Sequence, residues 1–129
     1  MPRRNKSKAL TAKQTLDLAP AIISYTIGAD ATGAPVAFRA PCDLYIVDII
    51  VEARATSGAA TVSPINAGAA GSGTDIMCTA IACAADGAVT HMSAGADDTK
   101  LILAKGDYVK VDASASDVRG RVTFIAERA

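Results

Sequence analysis

Tryptophan is absent from this chain, phenylalanine occurs twice, and a single histidine, His91, must serve any chemistry that needs an imidazole. With aromatics at only 4% of residues, Tyr25, Tyr45, Tyr108, Phe38 and Phe124 must supply both the core and any stacking platform for a base or sugar. One histidine does not build a cupin-type metal site, and every Ser or Cys triad would have to share the same ring. The three cysteines, Cys42, Cys78 and Cys83, are an odd number without a CxxC pair. That excludes a disulfide framework and predicts buried free thiols in a chain that folds in a reducing compartment. No apolar run reaches the roughly 18 residues of a membrane span. Ser7, Lys8, Thr11, Lys13 and Gln14 interrupt the one place where a secretory signal would need its apolar stretch.

What the chain does have is an uneven distribution of charge. The formal net charge is zero, yet Arg3, Arg4, Lys6, Lys8 and Lys13 crowd the first thirteen residues without an acid among them. Removing those five from the thirteen Lys and Arg leaves eight against thirteen Asp and Glu, so residues 14–129 carry −5. The pattern predicts an extended basic arm, residues 1–18, before a body, residues 19–129. A chain of 129 residues fits one domain. Much of its 50% hydrophobic content is alanine, which buries little area, so the core should be thin and neighbouring subunits should contribute to stability.

Helical periodicity is confined to a short turn at 13–18, ahead of Pro20. The body reads as strands over 22–27, 36–39, 43–53, 60–66, 75–82, 88–92, 99–103, 108–113 and 119–126. In the strongest of these, Tyr45, Val47, Ile49 and Val51 share one face by period two, while Leu44, Ile46 and Ile50 share the other with Asp48 and Glu52. Both faces being largely apolar predicts a central strand with its second face covered by the arm, a loop or a neighbouring subunit. Pro64 predicts an edge strand or a bulge at 60–66. Asp86-Gly87 and Lys105-Gly106-Asp107 read as hairpin turns, and the glycine-rich stretch 67–73 as a mobile loop. About eight short strands joined by turns make an all-β, two-sheet β-sandwich or jelly roll, with a barrel as the runner-up.

Candidate chemistry is sparse. Cys42, Cys78, Cys83 and His91 would form a zinc set only if the fold gathered them, since no recognised spacing links them. Asp97-Asp98 offers too few oxygen ligands for calcium and reads as solubilising charge. The stretch 67–73 lacks the Lys-Ser/Thr ending of a phosphate loop. These readings predict a non-enzymatic protein with no cofactor and no metal. The basic arm would neutralise phosphates, yet the body is acidic and has no basic aromatic face. Ala9, Leu10 and Leu16 suit a protein groove, so protein docking ranks ahead of nucleic acid.

The basic arm, the Ala/Gly-rich strands and the closing segment Leu101-Ile102-Leu103-Ala104-Lys105-Gly106-Asp107-Tyr108-Val109-Lys110-Val111 together resemble the small jelly-roll decoration, or cement, proteins of tailed bacteriophage capsids. The resemblance covers residues 20–127 in pattern and rests on architecture and the Gly-Asp turn. It implies a structural protein made in the bacterial host cytoplasm that binds the outer surface of the virion head and stabilises it. The implied partner is the major capsid protein, reached by a homo-oligomer, trimer ahead of dimer, with no role for nucleic acid or membrane. Arg3, Arg4, Lys6, Lys8, Leu10, Lys13 and Leu16 would be the attachment residues of the arm. A glycan-binding or host-adhesion module of a viral fibre or tail is the alternative.

Overall fold

The computed structural model describes residues 21–54, 59–92 and 99–129. The arm, the predicted turn at 13–18 and the acidic loop around Asp97-Asp98 lie outside the described residues. Ten strands form in order: β1 Ala21–Ile27, β2 Val36–Arg39, β3 Leu44–Arg54, β4 Thr61–Gly68, β5 Asp75–Ile76, β6 Ile81–Ala82, β7 Val89–His91, β8 Ile102–Leu103, β9 Tyr108–Ala113 and β10 Arg119–Arg128. A 3-10 turn at Ala31–Gly33 is the one helical element among them. Two five-stranded antiparallel sheets result. In the first, β1, β10 and β3 lie side by side and β3 then pairs with both β7 and β8; in the second, β2, β9 and β4 lie side by side and β4 pairs with both β5 and β6.

Counting β5 with β6 and β7 with β8 as two interrupted strands gives eight, ordered 1-8-3-6 in one sheet and 2-7-4-5 in the other. This is the jelly-roll order, so the runner-up barrel is set aside. Every connection but the one from β4 to β5 crosses between the sheets. The two expected hairpins are therefore corrected. At 85–88 the Ala88 N–H bonds the Ala85 carbonyl, and at 104–107 the Asp107 N–H bonds the Ala104 carbonyl, each at 2.9 Å. The turns are real, but positive φ occurs only at their second central residues, Gly87 (83°) and Gly106 (93°). A hairpin turn of the primed kind needs positive φ at its first central residue as well, or there alone. These turns instead splay their flanking strands into different sheets.

The predicted face assignment of β3 holds only in halves. Leu44 and Ile46 point into the core, but so do Ile49, Val51 and Ala53. The pairing with β10 slips one residue between Ile125 and Ala126, which leaves Val47 as an extra, exposed residue. This bulge switches the inward face from even to odd positions. An apparently two-faced apolar strand thus turns one continuous face inward. The Asp48 carboxylate accepts the Ile49 N–H at 2.8 Å, satisfying backbone at the irregularity.

Pro64 also departs from expectation, because β4 lies inside its sheet, between β9 and β5/β6. The Met77 N–H bonds the Pro64 carbonyl at 3.0 Å, and in a regular antiparallel pair Pro64 would return a bond to Met77. Proline has no N–H to give. The neighbour breaks at that point: β5 ends at Ile76, and Met77 and Cys78 turn into the core before β6 resumes at Ile81. The stretch 67–73, expected to be mobile, is tied by bonds from Gly71 N–H to the Gly68 carbonyl (3.2 Å) and from Gly73 N–H to the Ala67 carbonyl (2.8 Å).

One cluster fills the space between the sheets, built on Phe124, Ile27, Leu44, Ile46, Ile49, Met77, Leu101 and Leu103. Among the described residues no polar or charged residue is buried. Phe38 and Phe124 meet edge to face across the sandwich, 5.1 Å between centroids.

Candidate partner-binding surfaces

The expected attachment residues Arg3, Arg4, Lys6, Lys8, Leu10, Lys13 and Leu16 lie outside the described residues. The structure does place the strand that follows them. Ala21 opens β1 opposite Ala126, and among the described residues β1 is an edge of the first sheet, paired with β10 alone. The chain therefore enters the sandwich at the end that also carries the turns at 40–43 and 104–107.

Cross-strand register organises the outer face of this sheet into rows. Nearest the chain entry, Glu127, Tyr45 and Ile102 align, followed by Ile22, Ile125 and Asp48. Ile22 on β1 is 68% exposed and Ile102 on β8 53%, at opposite sides of the sheet, and the bulged Val47 is exposed on β3 between them. Next come Ser24, Thr123, Ile50 and His91, where the Ser24 and Thr123 hydroxyls meet at 3.3 Å. His91 Nδ1 lies 2.7 Å from Asp48 Oδ2, a diagonal pair in which the imidazole is largely exposed. At the far end stand Thr26, Arg121, Glu52 and Val89, and finally Arg119 opposite Arg54. These last residues line a shallow cleft of about 340 Å³.

The second sheet presents a different face. Val36, Lys110, Ile65 and Ile76 form a row across β2, β9, β4 and β5, with Val36 and Ile76 about half exposed. One row away the Arg39 guanidinium lies 5.1 Å over the Tyr108 ring, and Arg39 Nε donates to the Gly106 carbonyl at 3.1 Å. Gly71 presses on that same ring, so a Cβ there would come within 3.2 Å of it. Tyr108, the residue on which a sugar platform would depend, is thus already engaged. Tyr25 is half-buried, and desolvation followed by the charge of Asp30 pushes its hydroxyl above the ordinary value.

The cysteines do not gather with His91. Cys78 and Cys83 are in the core, whereas His91 stands on the outer face of the first sheet. Burial pushes the Cys78 thiol up to about 11 and raises that of Cys83, so both are protonated at neutral pH. Cys83 donates weakly to the Arg119 carbonyl at 3.7 Å. Cys42, expected to be buried with them, is only half-buried, at the turn before β3. Among the described residues no group of three or more His, Cys, Asp or Glu is placed to hold a metal ion.

Sequence reasoning missed the arginine end of the first sheet. Arg54 and Arg119 become neighbours only through the β3–β10 register, and no local pattern in either segment announces the pairing. No family model matches the chain, and no match emerges among curated proteins or solved structures.

Proposed function

We propose that this protein is a non-catalytic decoration protein that attaches to the outer surface of a bacteriophage head and stabilises the shell, its partner being the major capsid protein. The observation that carries the reading is the exposed apolar group Ile22, Val47 and Ile102 on the outer face of the first sheet, at the end where the chain enters from the basic residues. Apolar side chains of this size left in water, on a chain whose first thirteen residues carry five positive charges, suit a surface that offers both apolar area and acidic groups. The compact jelly roll then acts as a plate and residues 1–18 as its strap. A single contact of this kind is weak, and several copies, a trimer ahead of a dimer, raise the effective concentration of each. The −5 charge of residues 14–129 favours a protein lattice over nucleic acid.

The test is attachment. Purified chain added to expanded heads should co-sediment with them and raise their disruption temperature, and deletion of residues 1–18 should weaken both effects. Equal attachment by the truncated body would refute the role of the arm, and no attachment by the full chain would refute the reading itself.

A further inference from the structure

We propose that the cleft at the far end of the first sheet is a second binding site, one that takes a pair of carboxylates from an acidic peptide segment of a partner protein. The proposal goes beyond shell attachment and does not rest on it. Arg54 and Arg119 are direct cross-strand neighbours, and Arg121 follows two residues later on the same outward face. Like charges directly opposite one another destabilise a sheet. Among the described residues, none of these three guanidiniums has a carboxylate within ion-pairing distance. Arg119 is nevertheless held in place, donating from one nitrogen to the Ser116 carbonyl at 2.7 Å and the Val118 carbonyl at 2.8 Å. A guanidinium anchored on carbonyls keeps its remaining N–H groups for a ligand, and planar forks of this kind match carboxylates bidentately.

The floor of the cleft is made of backbone. Gly120 sits between the two arginines of β10 with φ 149°, and a Cβ there would run into the Glu52 carbonyl. Close approach of the strands at this point leaves room for main chain alone between the two arginines of β10. Three arginines against Glu52 give two unmatched positive charges, which two carboxylates would neutralise. Glu52 also selects against a denser polyanion. No aromatic ring lines the cleft to stack a base.

The test uses the full chain and a synthetic oligo-glutamate peptide at low salt, followed by NMR shifts and calorimetry. Binding should perturb the amides of residues 52–54 and 119–121 and weaken about tenfold in Arg54→Gln and in Arg121→Gln, since each removes a charge-assisted contact. Glu52→Gln should tighten it, and Lys105→Gln, at the opposite end, should leave it unchanged. Thermal melts establish that each variant is folded. Absence of peptide binding, binding by both arginine variants as tight as by the unmodified chain, or tighter binding of single-stranded DNA than of peptide at the same salt would each overturn the proposal.

Discussion

The outer faces of the two sheets use similar residues in opposite arrangements. The first sheet is graded along its strands, from exposed isoleucines at one end, through the Asp48–His91 pair, to three arginines at the other. The second is graded across its strands: one row, Val36–Lys110–Ile65–Ile76, apolar except for Lys110, runs from edge to edge beside the Arg39–Tyr108 stack. The comparison teaches that a gradient along the strands separates two unlike surfaces far enough to serve two contacts. A row across the strands offers one contact at most.

Several experiments would break or sharpen that contrast. The largest effect is expected from Phe124→Ala, because Phe124 lies on the first sheet and packs on Phe38 of the second. Removing it should cost about 3–5 kcal/mol in denaturant titration and loosen both sheets together. Gly120→Ala should act on one sheet only. The strained φ costs roughly 1–3 kcal/mol, and hydrogen exchange should show faster amides at the β10–β3 pairing while β4–β9 stays protected. If β4–β9 loosened equally, the sheets would not be separable.

A pH titration tests the second sheet from inside. Cys78 sits beside β5, and its folded thiol titrates at about 11 against 9 for the ordinary group. Between those values the unfolded chain releases the proton and the folded chain keeps it. Stability is therefore fully present below pH 9 and should fall on the order of 1–2 kcal/mol as pH rises towards 11. Cys78→Ala should flatten that slope. The smallest change in stability, within about 0.5 kcal/mol, is expected for Ile22→Ser, Ile102→Ser and Ile76→Ser. Their attachment should differ: the first two should weaken binding to heads about tenfold each, and Ile76→Ser should leave it intact.

The strands themselves were largely legible from alternation. Val36–Arg39 and Tyr108–Ala113 match the sequence reading at both ends, and the turn glycines stand where Asp-Gly and Gly-Asp place them. Partnership between strands was not legible. A turn residue specifies that the chain reverses, but the sign of φ at its first central position determines whether the strands pair or part, and Asp86 and Lys105 do not reveal that sign. The bulge at Val47 is equally silent in sequence, since valine suits either face. Pro64 pointed to an edge strand or a bulge, whereas β4 lies inside its sheet and the break falls on the neighbouring strand. The arginine cleft depends on Arg54 and Arg119 meeting across the sheet, so its signal is a pairing and not a motif.

The position of β10 has a consequence for how the protein comes into being. It is the last strand described, yet it lies at the middle of the first sheet and is the one partner of β1. During synthesis β1 must wait without its partner, and β3 with one edge of backbone N–H and C=O groups unpaired, until residues 119–128 leave the ribosome. Completion of that sheet is then a late event, timed by the last of its strands to be made. A ribosome that stalls before residue 119 should yield a chain with its second sheet formed, β3 held only by β7 and β8, and β1 without its partner.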